Sequence, residues 1–380
     1  MGEGKLKTAV LGLNKQGLLL LEAAGDLGLF EIIAVADKDG DLAEKVADRY
    51  QCASYDDYRQ LISVMDSSLR SKERKISEDR EEGEDREEGI NLKKRSEKGC
   101  LLVASPMHTC DEYIRMAARK KINILKLAPV ARNFEEAAGL VRLAEIEGIQ
   151  IAVGNPHRFA RSFLELRDIL REANIKHVFL IRAFYNAGEK KHPAWQTDPK
   201  LAGGGVLLHN CYQMMDEIIL NFGTPEQIYS LNTNAAGDRQ QRLYLTEDTS
   251  VVTMKFSETL SGNLIASRRS EAGPGEEFLK IYGKDEILTV TNTQLIIRNV
   301  LSGKSEKLSF DDDDSGRYKA MLENFALSIL QPADNKLCSS GRENLKNMAV
   351  IESSYLSART GMPEEPGKLL QMAQIEPTEI

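Results

Sequence analysis

The sequence predicts an α/β chain of two domains: a doubly wound parallel sheet over residues 1–155, then an α+β domain over 156–380 with one large, mostly antiparallel sheet. Three observations carry this. Up to residue 155, short and nearly continuous apolar runs alternate with amphipathic stretches of helical length, the pattern of parallel strands covered on both faces by helices. Beyond residue 155 most apolar runs follow one another across short turns without a helix between them, as antiparallel strands do. Between the first apolar run and the first helix lies a turn bracketed by two glycines, Gly12 and Gly17.

The elements follow in order. KTAVLGL (7–13) and EIIAVAD (31–37) are buried-type strands around a helix at 17–28. GDLAEKVADRY (40–50) has helical spacing, and DDYRQLISVM begins with Asp at an N-cap position. CLLVAS (100–105), NILKLA (123–128) and IQIAVGN (149–155) are strands, with helices near 109–119 and 133–147 between them. In the second half, strands are predicted at 176–186, 249–257, 262–270, 278–283, 286–292 and 294–300. Helices are predicted at 160–172, 206–222, 317–331 and 341–360.

Composition narrows the function classes. The chain of 380 residues has 50 Lys plus Arg against 58 Asp plus Glu, a formal net charge of −8. That balance argues against phosphate-neutralising nucleic-acid binding and against a polybasic membrane surface. No apolar run approaches the roughly 20 residues of a transmembrane helix, and MGEGKLK leads straight into a strand, leaving no room for a signal peptide. Cys52, Cys100, Cys110, Cys211 and Cys338 are scattered without C-x-x-C, and the five histidines lack zinc spacing. A cytoplasmic protein with a small-molecule substrate and no metal is the expectation. From Arg70 to Lys98, 20 of 29 residues are charged, and EDREEG occurs twice in tandem at 78–89. This reads as a solvated loop inserted into the fold, disordered or transiently helical. Asp311 to Asp314 read as a solvated acidic run.

The turn at 12–17, G-L-N-K-Q-G, stands where a dinucleotide fingerprint G-x-G-x-x-G would. There the first glycine makes the tight turn, the second admits pyrophosphate and the third lets helix and strand pack. Asn14 replaces the second glycine, crowding the phosphate approach, though Asn tolerates a left-handed backbone better than most residues. Asp37 ends the second strand, placed to accept hydrogen bonds from an adenosine ribose. Its charge favours NAD over NADP, while Lys38 beside it keeps NADP open. Cofactor contacts are expected from Gly12, Asn14, Lys15, Gln16, Gly17, Asp37 and Lys38 on this Rossmann-like domain, with Ser105, Pro106 and His108 after the fourth strand.

Several ordered motifs then carry a resemblance: ASPMHTCDEYI (104–114), ILKLAPVARNFEEA (124–137), GNPHRFA (154–160), WQTDPKLAGGGVLLHNCYQMMDEIILNFG (195–223), YKAMLENFALSIL (318–330) and MAVIESSYLSARTGMP (348–363). Across nearly its whole length the chain resembles the glucose–fructose oxidoreductase/inositol dehydrogenase/MocA (Gfo/Idh/MocA) family. The resemblance implies NAD(P)-dependent oxidation or reduction of a sugar, polyol or related carbonyl, and a homodimer or homotetramer packed through the large sheet. It also places a catalytic lysine in an E-K-P segment and an acid/base Asp and His one helical turn apart. Here those positions hold Ala128, His209 and Gln213, and Met107 and Cys110 replace an asparagine and a histidine. The scaffold positions Pro106, Pro129, Arg158, Trp195, Gly203, Gly204, Gly205 and Asp216 are kept.

Two readings follow. In one, the enzyme runs on substitute groups. His209 would be the acid/base, with Tyr212 beside it and Lys126 sent by strand alternation to the same face as Ala128. The bland alternatives are a solvent-facing lysine at a strand end and a hydrogen-bonded structural histidine. His108 and His157 are further candidates near the nicotinamide. In the other reading, the chain is a non-catalytic dinucleotide-binding sensor or scaffold.

Overall fold

The computed structural model describes residues 4–78, 98–172, 177–186, 193–235, 245–269 and 275–374. Its first half winds as β1 (Leu6–Leu11), α1 (Lys15–Leu27), β2 (Phe30–Ala36), α2 (Gly40–Tyr50), β3 (Ala53–Tyr55), α3 (Tyr58–Glu78), β4 (Gly99–Val103), α4 (Met107–Arg119), β5 (Asn123–Leu127), α5 (Phe134–Glu147) and β6 (Ile151–Gly154). The six strands are parallel in the order β3-β2-β1-β4-β5-β6. Winding reverses between β1 and β4, which opens a crevice at the carboxyl ends of those strands. The helix starts are set by short polar side chains. Asn14, Asp39 and Asn133 each accept a backbone N–H of the first turn, satisfying donors that the helix itself leaves open.

The charged stretch from Arg70 begins inside α3. Residues 70–78 continue α3 as helix rather than leaving it as a loop, and 79–97, including most of the tandem repeat, lie outside the described residues.

The second half begins with a 3-10 turn, Pro156–Phe159, and α6 (Arg161–Arg171), followed by β7 (Leu180–Asn186). A second 3-10 turn, Ala194–Thr197, precedes α7 (Pro199–Ala202), α8 (Val206–His209) and α9 (Tyr212–Phe222). Then come β8 (Gln227–Thr233), β9 (Thr249–Lys255), β10 (Ser261–Ser267), β11 (Glu276–Tyr282), β12 (Glu286–Val290), β13 (Gln294–Asn299) and β14 (Ser305–Ser309). Three helices close the chain: α10 (Asp314–Leu330), α11 (Gly341–Thr360) and α12 (Pro366–Met372). The eight strands run β14-β13-β12-β11-β7-β10-β9-β8, antiparallel except for the β7–β10 pair. Ile181, Leu264, Val252 and Leu279 turn one face of this sheet into the core beneath the helices. The other face carries no helix among the described residues.

Chain order and spatial order part at α10. Tyr318, Met321, Leu322 and Phe325 join Leu20, Leu21 and Ala24 of α1 in one apolar cluster, so this late helix covers the first sheet. The acidic run before it is not simply solvated. Asp312 is a nearly buried partner of Arg317 at 3.1 Å, and Asp313 caps α10 by accepting from the Gly316 N–H.

Candidate active site

Local geometry explains the residues of the 12–17 turn. Gly12 has φ +92°, and a Cβ there would lie 2.4 Å from Ser105 Oγ, so no other side chain fits. A Cβ on Gly17 would lie 1.9 Å from the Gly12 carbonyl oxygen. Asn14 departs from the expectation: its φ of −63° is extended, not left-handed. Its Oδ1 accepts from Gly17 N and its Nδ2 donates to Ala104 O, each at 3.0 Å. The side chain therefore ties the turn to the loop after β4, and the Lys15 and Gln16 N–H groups stay as open donors of the first turn of α1. Asp37 braces the same turn, accepting from Leu13 N at 2.6 Å and Asp39 N at 3.0 Å. Each carboxylate oxygen keeps a further acceptor site. Lys38 is exposed at the strand end. Ser105 lies behind Gly12 with Tyr58 Oη at 3.5 Å, and Pro106 begins α4.

Where β1, β4 and β5 end, a cavity of about 470 Å³ opens, lined in part by Asn14, Gln16, Ser105 and Pro106. Lys126 and Ala128 at the end of β5 line it as well, with Trp195, His209, Asn210 and Gln213 from the second half of the chain. Lys126 is not solvent-facing: it is 4% exposed. Its Nζ donates to the Leu127 carbonyl at 2.6 Å, and no carboxylate pairs with it among the described residues. Burial lowers its pKa, offset in part by Cys110, whose thiol burial pushes up to about 11.

His209 lies within 3.0 Å of the Ala202 carbonyl through Nε2. A carbonyl only accepts, so Nε2 carries the hydrogen and Nδ1 keeps the lone pair. Burial, against the Ala202 bond, brings its pKa down to about 4, so the ring is neutral at pH 7. Trp195 packs between His108 and His209, with ring centroids 5.1 Å and 5.3 Å away. Nδ1 of His108 is buried without a hydrogen bond.

The single helix expected at 206–222 is broken at Asn210 and Cys211, separating α8 from α9. His209 and Gln213 are thus not one turn apart on one helix, yet both face the cavity. Tyr212 does not: it is 1% exposed, and its hydroxyl donates to Asn344 Oδ1 at 3.1 Å. His157 also lies elsewhere, stacked on Phe163 and 3.9 Å from Glu277. The Gly203–Gly205 run is explained by three close approaches. Gly203 has φ +80° against Arg132, a Cβ on Gly204 would meet Tyr355 Oη at 2.1 Å, and one on Gly205 would meet the Glu247 carbonyl at 1.8 Å. Glu247, which spacing did not single out, accepts from Gly205 N at 2.8 Å, Leu207 N at 3.0 Å and Tyr355 Oη at 2.9 Å. It fixes the start of α8 and with it His209. Trp195, read as scaffold, is a cavity residue.

Residues 167–365, just over half of the chain, match the family model described as "Oxidoreductase family, C-terminal alpha/beta domain". The chain belongs to the Gfo/Idh/MocA oxidoreductase family. Among curated relatives, 2,7-anhydro-N-acetylneuraminate hydratase of Mediterraneibacter gnavus is 23% identical over 175 residues, 44% of this chain. The chain spans 45% of that relative's length. Levoglucosan dehydrogenase, solved with NADH and L-sorbose, superposes with a TM-score of 0.78 at 13% identity, over 96% of this chain and all of the other. An oxidoreductase from Agrobacterium radiobacter, solved with NAD+, L-tartaric acid and magnesium, gives 0.75 at 16% identity, over 96% of this chain and 100% of the other.

Asp216, wholly buried, holds Arg158 through two 2.6 Å contacts and accepts from Asn347 at 2.5 Å, anchoring α9 to the turn after β6. The Ala128 methyl offers no proton. Gln213 Oε1 and Asn210 Oδ1 are buried without hydrogen-bond partners among the described residues.

Proposed function

We propose that the chain is an NAD-dependent oxidoreductase acting on a hydroxyl or carbonyl of a sugar- or polyol-like small molecule, with Lys126 and His209 in place of the usual acid/base set. The observation that carries this reading is Lys126, a buried amine on the wall of the cleft without a carboxylate partner among the described residues. The residues present fit a dinucleotide. The Gly12–Gly17 turn has no room for a Cβ at either glycine, the first turn of α1 offers free N–H groups, and Asp37 directly follows β2. NAD is preferred over NADP because the Asp37 carboxylate repels a 2′-phosphate. Levoglucosan dehydrogenase and the A. radiobacter oxidoreductase, solved with NADH and NAD+, support the assignment.

When bound, the nicotinamide would supply or take the hydride. The chain's own groups handle the proton. Burial favours the neutral amine of Lys126, which can accept the proton of a substrate hydroxyl, or return it to a carbonyl oxygen in the reverse direction. His209 offers a neutral acceptor at Nδ1. Gln213 and Asn210 orient the substrate through acceptors that the protein leaves open. We further propose that the chain works as a homo-oligomer packed through the uncovered face of the large sheet.

A second reading, a dinucleotide-binding sensor or scaffold without turnover, is favoured by Ala128 and Gln213, which cannot titrate. Trp195, the one tryptophan of the chain, separates the two. NADH binding should quench its fluorescence, and no quenching at millimolar NADH defeats both readings. Given binding, turnover of a sugar or polyol that falls at least about tenfold in His209→Ala and Lys126→Ala supports the enzyme. Binding without turnover leaves the sensor.

A further inference from the structure

Asn210, on the cavity wall, is the near end of a run of polar side chains that hydride transfer does not use. Tyr185 of β7 and Glu277 of β11 stand directly opposite one another in the antiparallel ladder. Both therefore project, side by side, from the helix-covered face of the sheet. Asn210, on the cavity wall, donates Nδ2 to Tyr185 Oη at 3.4 Å. Behind them His157 Nδ1 lies 3.9 Å from Glu277 Oε1, and Asn292 Nδ2 donates to Glu277 Oε2 at 3.4 Å.

The group is short of donors. Glu277 receives only the long Asn292 bond among the described residues, although its side chain is 22% exposed. Asn210 Oδ1, Gln213 Oε1 and Asn292 Oδ1 are buried and unpartnered. Arg317, the guanidinium that acts on Glu277, is already held by Asp312 at 3.1 Å and the Asn292 carbonyl at 3.0 Å. Burial pushes the Glu277 carboxyl up to about 7, which fits a carboxylate without a cation of its own. Above that pH, with Glu277 ionised, such a surface gains from hydroxyl and ammonium donors. A ligand carboxylate brings only further acceptors and like charge.

We propose that Glu277, with Tyr185 and Asn210, is the substrate-recognising end of the cleft, and that it selects neutral or amine-bearing polyols over carboxylate-bearing ones. This rests on the proposed function of the same cleft, whose substrate class it names.

Calorimetric titration of the full chain, with and without saturating NADH, tests it using gluco- and galacto-configured trios of aldose, amino sugar and uronate. The aldose or amino sugar should bind at least about tenfold tighter than the matching uronate. Glu277→Gln should shrink that ratio to below about threefold and weaken the amino sugar most. A uronate that binds wild type as tightly as its aldose overturns the proposal, whether or not the variant folds. So does a ratio unmoved in Glu277→Gln, or the absence of binding by every member. Trp195 quenching by NADH in the same samples reads the cofactor site separately. Quenching without sugar discrimination sinks this inference alone, whereas absent quenching sinks the reading of the cleft.

Discussion

Lys126 is a test of how a buried amine is tolerated. It sits on β5 at 4% exposure with one carbonyl as partner, so folding strips water from a cation and returns little. Lys126→Met should therefore stabilise the protein by on the order of 1–3 kcal/mol at neutral pH while abolishing turnover. The lysine pKa is lowered from 10.5 by burial, so the unfolded chain binds more protons than the native one just below pH 10.5. Wild type gains stability as pH rises there, and the advantage of the variant should shrink. Paired thermal melts at neutral pH and near pH 10 check both signs; a variant that melts lower than wild type at both ends the argument. Glu217 works in the opposite sense. Burial, against Arg167, pushes its carboxyl from 4.5 up to about 7. The native state holds a proton that the unfolded state has lost, so stability falls as pH rises between those two values. Glu217→Gln should match wild type near pH 5 and melt higher near pH 8, and an equal difference at both pH values would refute it. Period-two alternation put Lys126 on the face of Ala128, but left open a solvent-facing strand end, and its burial was not legible. Nor was the burial of Tyr212 against Asn344, because it depends on α11, more than a hundred residues away.

At the scale of elements, the turn into α8 is held by one carboxylate. Glu247→Ala would leave two backbone donors and the Tyr355 hydroxyl without their acceptor, a loss of roughly 2–4 kcal/mol. Because Glu247 acts through α8 and not on cofactor, kcat should fall while NADH affinity, read at Trp195, holds. Glu247→Gln, which keeps one acceptor oxygen, should recover part of both losses. Equal loss of NADH affinity would place its role elsewhere. The sequence hid the helix break at Asn210 and Cys211, since 206–222 is apolar at helical spacing throughout. Gly203 to Gly205, whose backbones approach Arg132, Tyr355 and Glu247 from three other parts of the chain, account only for where α8 starts. The strands that periodicity passed over are β3, β8 and β14, all at sheet edges. β3 has three residues, and β14, SEKLS, is mostly exposed. A short or two-sided polar strand leaves little apolar signal. The central strands, buried on at least one face, were readable for the same physical reason.

For the whole molecule, the face of the large sheet away from the helices sets the remaining prediction. Its strand register aligns Leu231, Val251, Ile265, Phe184 and Phe278 in one row across β8, β9, β10, β7 and β11. Phe184 and Phe278 stack at 5.7 Å, while Leu231 is 56% and Val251 38% exposed. An antiparallel sheet that faced water would alternate apolar inward and polar outward. This one is apolar on both sides along that row, and a contiguous exposed apolar strip marks an association surface. The rows beside it carry Thr253, Asn263, Arg182 and Lys280, a polar margin around an apolar stripe. Leu231→Lys with Val251→Lys should convert an oligomer to a monomer in light scattering at micromolar concentration. Both side chains point away from the core, so the variant should keep its far-UV spectrum and bind NADH as wild type does. A wild type that is already monomeric at that concentration, or a double variant that still assembles, would remove this face from the interface.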